Sequence, residues 1–216
     1  MSSIEYKLCV KASPDGKSLG DCPFTQRANL AFKVKKVPVT YTLIELSKKP
    51  QWFLALTPGG SVPVLQYGDT VNGDSYEIVQ YLDATYPEPS LKPPGNEEAE
   101  KATGDIFNKF SAWAKHFKDP NAQEAKDAFV AEMKKVDDFV SKSGPLLCGS
   151  PWSVADCALV PRLYHMQTVA DHFMGYKIDQ FNNVKRYMDY SFATEEFKQT
   201  DYPREWILTG WAKYFK

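Results

Sequence analysis

A cysteine followed at once by proline, in the run Leu19-Gly20-Asp21-Cys22-Pro23-Phe24-Thr25-Gln26-Arg27, is where this chain's side chains could most readily do chemistry. Proline is favoured at the first helical position, because the N–H it lacks has no intrahelical partner there. A helix beginning at Pro23 sets Cys22 at its N-terminus, where free backbone N–H groups and the macrodipole attract an anion. A thiolate is such an anion, so this setting is expected to depress the Cys22 pKa and make it a nucleophile. The dithiol pattern Cys-x-x-Cys is broken at its fourth position by Thr25. With no neighbouring thiol to resolve an oxidised Cys22, an external small thiol is expected to do so. The competing reading is a lone cysteine filling a helix end, since free cysteine is among the most buried residue types.

A second constellation is Gly60-Ser61-Val62-Pro63-Val64, followed by Asp74-Ser75 where the next helix should start. A Val-Pro step entering a strand can take the cis form, and its turn would leave the Val62 backbone free to pair with an extended peptide. Asp74 and Ser75 could receive a carboxylate through backbone N–H and hydroxyl donors. An edge strand with an ordinary N-cap explains the same residues. Lys11, just past the first strand, either lowers the Cys22 pKa and binds substrate oxygens or is a solvated loop lysine. Asp21 beside a thiolate works against nucleophilicity, so it reads as a proton-handling or hydrogen-bonding group, or as a turn residue. His165, among apolar helical neighbours, reads first as a satisfied core histidine, and Trp211 as a tail aromatic packed on the core. Cys9, Cys148 and Cys157 read as structural, with Cys148 the more accessible of the three. The three histidines show no metal-ligand spacing and no phosphate-binding glycine motif is present, so neither a metal nor a bound nucleotide is expected.

The elements that must position these residues follow from periodicity. Strands are expected over 6–10, 40–44 and 62–67, and helices over 23–36 and 75–86. Four prolines and a glycine within 87–96 read as an extended linker. Beyond it, Ile106, Phe110, Trp113 and Phe117, then Phe129, Met133, Val136 and Val140, recur at helical steps. Gly144-Pro145 stops the second stripe. Ser153 with Asp156 three residues on reads as an N-cap opening a helix through Leu159, Leu163 and Met166. The chain therefore divides into an α/β unit over 1–86, a linker over 87–96 and an all-α unit over 97–216.

Composition sets the outer limits. With 26 basic and 27 acidic side chains the formal charge is −1, which removes the electrostatic case for nucleic acid or an anionic membrane surface. Aromatic residues make up 14%, against a disordered chain, and no apolar run reaches spanning length. The first ten residues carry no signal-peptide pattern, and four scattered cysteines do not make a disulfide scaffold. A reduced, soluble, cytoplasmic protein is expected.

Together these features resemble the glutathione transferase superfamily, and within it the plant-type dehydroascorbate reductases. The closer likeness lies in Val10-Lys11-Ala12, the 19–27 run, Lys49-Pro50-Gln51-Trp52-Phe53-Leu54, Leu163-Tyr164-His165-Met166-Gln167 and Gly210-Trp211. The resemblance implies a thioredoxin-like N-terminal domain with a mixed four-stranded sheet, an all-α C-terminal domain, and glutathione-dependent reduction of dehydroascorbate to ascorbate. It implies Cys22 as nucleophile and Lys11 and Asp21 against both dehydroascorbate and glutathione. Lys49, Val62, Asp74, Ser75, His165 and Trp211 would hold glutathione. The basic residue such proteins set against ascorbate has its nearest match in Lys213, which is out of register. Glutathione would be a co-substrate with no bound cofactor, and a monomer is expected. Omega-class transferases and chloride intracellular channel proteins share Cys-Pro-Phe. They leave two alternatives: a glutathione-dependent thioltransferase, or a redox-switched membrane or interaction protein. Asp21, Arg27, Lys33, Lys35 and Lys36 make insertion of 19–36 into lipid costly.

Overall fold

The structure, a computed structural model, describes residues 5–120 and 122–216. Its first half is a four-stranded sheet of order β2-β1-β3-β4, formed by β1 (Lys7–Lys11), β2 (Thr40–Ile44), β3 (Val64–Tyr67) and β4 (Thr70–Asn72). β1 and β2 run parallel, from Lys7 opposite Thr40 to Lys11 opposite Ile44. β3 is antiparallel to β1, with Leu8 opposite Leu65, and β4 is antiparallel to β3.

Side-chain alternation along β1 feeds two cores. Leu8 and Val10 belong to the main core, under α1 (Pro23–Val34) and α3 (Ser75–Thr85), while Cys9 packs with Ile44, Phe53 and Val64. Phe53 comes from α2 (Gln51–Leu56), a six-residue helix in which it is the single buried residue. Neither α2 nor β4 follows from residue periodicity. α2 has no apolar stripe and β4 is three residues, two exposed and one half-buried, so only the family resemblance anticipated a fourth strand.

The observed bounds differ from the expected ones where chain geometry intervenes. α1 stops at Val34, because Lys36 has a positive φ of 54° ahead of Pro38. β3 begins after the cis Val62–Pro63 bond.

Helices make up the second half: α4 (Asn96–Thr103), α5 (Ile106–Lys115), α6 (Ala122–Ser141), α7 (Val154–Met174), α8 (Asn182–Ala193), α9 (Glu195–Lys198) and α10 (Arg204–Trp211). α7 is central and buried on nearly every side. Its start is fixed by a capping box between Ser153 and Asp156. The buried Asp156 carboxylate also accepts from the Leu147 N–H at 3.0 Å and the Tyr187 hydroxyl at 2.7 Å. Burial raises its pKa, against those hydrogen bonds.

The proline-rich segment between the halves is held in place. Lys35, its side chain wholly buried, donates at 2.6 Å each to Asp83 Oδ1, the Tyr86 carbonyl and the Pro89 carbonyl. Asp83 Oδ1 accepts the Leu91 N–H at 2.7 Å, and the Leu91 carbonyl accepts the Val154 N–H at 2.8 Å. One buried cation thus ties α1, α3 and the connecting segment to the start of α7.

Candidate active site

The loop from β1 to α1 folds back over the strand end. Gly20 N–H donates to the Lys11 carbonyl at 2.7 Å. A Cβ on Gly20 would lie 2.4 Å from the Ala12 carbonyl oxygen, so only glycine fits there. This return sets Asp21 over Lys11, whose Nζ is 2.8 Å from Asp21 Oδ1, and delivers Cys22 to the start of α1.

Cys22 is the N-cap. Its Sγ accepts the Thr25 N–H at 3.5 Å, and its thiol points at the Val62 carbonyl, 4.0 Å away. Cys22 is 9% exposed. Burial pushes its thiol pKa up, opposed by the Thr25 hydroxyl and N–H, the Phe24 N–H and the Lys11 charge. The depression expected from the helix terminus is therefore outweighed. The sequence displays the donors, but the burial comes from residues far along the chain. Burial likewise holds the Asp21 carboxyl above the usual carboxylate range, against the pull of Lys11.

A cleft of about 290 Å³ opens beside the sulfur. Lys11, Asp21, Cys22, Phe24 and Leu46 form one wall; Phe107, Ser111 and Lys115 of α5 and His165 of α7 face them. Gly210 and Trp211 of α10 close it, with Lys213 and Tyr214 of the following turn. A Cβ on Gly210 would sit 3.1 Å from Asp21 Oδ2, so α10 comes down directly on the Lys11–Asp21 pair. Phe107 is the aromatic hub, edge-on to Phe24, His165 and Trp211 at 6.4 to 6.5 Å. His165 Nε2 is 2.8 Å from the Tyr202 hydroxyl. Burial, then the Lys11 charge, lower the His165 pKa to about 3, so the ring is neutral.

Of the residues singled out from the sequence, Lys11, Asp21, Cys22, His165, Trp211 and Lys213 come together around this cleft. Lys49, Asp74 and Ser75 are not in its lining, and Val62 meets it through Cys22. Lys49 lies against Gly60, its Nζ 2.9 Å from where a Cβ would be. Asp74 caps α3, its Oδ1 accepting the Tyr76 and Glu77 N–H groups at 2.7 and 3.1 Å. The Asp74 N–H itself donates to Asn72 Oδ1 at 3.0 Å. Ser75, at the first helical position, is buried. Sequence reasoning missed Phe107, which stands one residue off its helix's apolar stripe, and Tyr202, which lies in an irregular segment without any pattern.

A mixed sheet of this order, with a helical second half closing the cleft above it, is the architecture of the glutathione transferases. The glutathione S-transferase N-terminal domain family matches residues 18–90. The chain is 39% identical over 211 residues to the probable glutathione S-transferase DHAR1, cytosolic, of Oryza sativa subsp. japonica, covering 95% of this chain and 96% of that one. The probable chloroplastic DHAR2 of the same plant is 36% identical over 214 residues, covering 97% and 76%. The crystal structure of Chlamydomonas reinhardtii dehydroascorbate reductase superposes with a TM-score of 0.87 at 31% identity, covering 99% of this chain and 100% of that one. The chain belongs to the glutathione transferase superfamily, in the group of the plant-type dehydroascorbate reductases.

Proposed function

We propose that the protein reduces dehydroascorbate to ascorbate with two glutathiones, through the sulfur of Cys22. The observation that carries this reading is Cys22 itself, capping α1 at the floor of a cleft that also holds three lysines, a neutral histidine and four aromatic side chains. The Cys22 thiolate adds to an electrophilic carbonyl carbon of dehydroascorbate, and the C=O pair moves to oxygen. Attack of water at sulfur breaks the S–C bond, whose electron pair leaves with the organic fragment as the ascorbate anion. Sulfur is left as a sulfenic acid, two electrons oxidised. Glutathione condenses with it, releasing water and forming a mixed disulfide. A second glutathione thiolate displaces Cys22 from that disulfide.

In this scheme Lys11 and Lys213 meet substrate oxygens, and Asp21 fixes Lys11. Val62 offers its backbone to the glutathione chain, Lys49 meets a glutathione carboxylate, and His165 and Trp211 wall the site. Asp74, exposed and acidic, suits the glutathione ammonium, with the Ser75 hydroxyl beside it for the neighbouring carboxylate. A division into 1–86, 87–96 and 97–216 accompanies this reading, supported by a sheet confined to the first part and helices throughout the last. So does a cytoplasmic monomer. Among the described residues no helix is long and apolar enough to cross a membrane, and one close relative carries the description cytosolic. Large exposed apolar side chains are spread over α1, α2, β4, α3 and α8.

The test is a glutathione-dependent dehydroascorbate assay on wild type and Cys22→Ser. Turnover should vanish in the variant, and intact mass after mild oxidation with glutathione should show one adduct on wild type only. Substantial turnover by Cys22→Ser sinks the reading. A kcat/KM that favours small mixed disulfides over dehydroascorbate converts it to a thioltransferase.

A further inference from the structure

His165 is 2% exposed, lines the cleft with Cys22 and Lys11, and has one ring nitrogen, Nδ1, buried without a partner among the described residues. Its other nitrogen is taken by Tyr202, at 2.8 Å. Tyr202 is itself buried and fixed, since its carbonyl accepts the Tyr164 hydroxyl at 2.8 Å and its ring stands edge-on to His165. Two proton placements are open to a neutral ring. If Nε2–H donates to Tyr202, the phenolic hydrogen has no acceptor among the described residues and the Nδ1 lone pair is also idle. If Tyr202 donates to Nε2, the phenolic hydrogen and the Nε2 lone pair are both satisfied, and a single donor, Nδ1–H, is left over. Burying unpaired polar groups is costly, so the second arrangement wins.

We propose that Tyr202 is a positioning residue, which holds His165 as its Nδ1–H tautomer so that a neutral N–H donor is kept for a substrate oxygen beside Cys22. This rests on the dehydroascorbate reading, in which negative charge gathers on a carbonyl oxygen as the thiolate adds. A donor already fixed beside the point where charge develops stabilises that state more than the ground state. No proton changes owner in this role. Lys11, the cationic neighbour, and the burial that keeps the ring neutral both suit a donor that is not itself a cation.

The experiment is a long-range proton–nitrogen spectrum of ¹⁵N-histidine-labelled protein, together with steady-state kinetics on wild type and Tyr202→Phe. The chain has three histidines. The His165 ring is assigned as the one whose signals are missing from the spectrum of His165→Gln. The proposal expects Nδ1–H in the wild type and loss of that single tautomer in Tyr202→Phe. It expects kcat for dehydroascorbate to fall about tenfold or more, with KM for glutathione within about twofold. A wild-type ring protonated on Nε2 overturns it. So does a variant whose tautomer or kcat is unchanged, or one impaired only through KM. The wild-type spectrum needs no substrate, so the tautomer is scored even if Tyr202→Phe folds poorly or dehydroascorbate is not reduced.

Discussion

Replacing Lys11 by methionine should uncover how much of the site is held by one ion pair. The Lys11–Asp21 contact is 2.8 Å long, with the aspartate side chain 5% and the lysine side chain 28% exposed. At an effective dielectric of about 20, that separation corresponds to about 6 kcal/mol of attraction. Desolvation of the two groups cancels much of it, and breaking a buried pair costs about 3–5 kcal/mol because one charge is stranded. Since the lysine is more than a quarter exposed, about 2–3 kcal/mol is the expected loss at pH 7.

The sign of the pH dependence follows from Asp21. Its folded-state pKa is already raised by burial against the pull of Lys11, and removing that pull raises it further. A carboxyl with a raised folded pKa costs stability above that value and ceases to do so as pH falls through it and the group takes up a proton. The deficit of Lys11→Met, read by urea unfolding, should therefore shrink steadily from pH 7 to pH 5. The double variant Lys11→Met/Asp21→Asn should regain most of the lost stability at pH 7. Its dehydroascorbate reductase activity should stay down by about three- to tenfold, because the cation near the Cys22 thiolate is still missing. A single variant that loses less than about 0.5 kcal/mol, a deficit flat with pH, or a double variant no more stable than the single would each refute the reasoning.

Two further outcomes follow from the same geometry. Burial raises the Cys22 pKa in the open cleft, so the rate of its alkylation by iodoacetamide without glutathione should still be climbing at pH 8–9; a plateau below about pH 7 would contradict this. Lys35→Met strands the buried Asp83 and frees the Tyr86 and Pro89 carbonyls, and should cost about 3–5 kcal/mol by thermal or urea unfolding.

Legibility from sequence tracked the range of the interaction. The Cys22-Pro23 step announced a helix N-terminus, and the helix begins at Pro23. Ser153 and Asp156 announced a capping box, and one closes there. Both rest on groups three or fewer residues apart, so the spacing carries the geometry. The strand at 40–44 was readable for a similar reason, as a short run rich in β-branched and aromatic residues. α2 was not, because Phe53 alone is buried and no period can be read from one residue. Phe107 and Tyr202 escaped because their partners lie far along the chain, 37 and 38 residues away for Tyr202, and nothing local distinguishes them from surface or core aromatics. The place of Asp74 at a helix start was visible for the same local reason as that of Ser153, and its carboxylate caps the Tyr76 and Glu77 N–H groups there.

What this sequence determined by itself is a thiol at a helix terminus, with no partner thiol near it and a proline to start the helix. Those are statements about neighbouring residues, and backbone geometry enforces them in any fold that forms the helix. Only the tertiary structure decided how reactive that thiol is at rest. The depth at which α5, α7 and α10 bury Cys22, Asp21 and His165 sets the cost of every charge in the cleft. Desolvation grows with all the surrounding atoms, whichever part of the chain supplies them. The helix terminus supplies its N–H groups locally, and here burial by distant residues outweighs them.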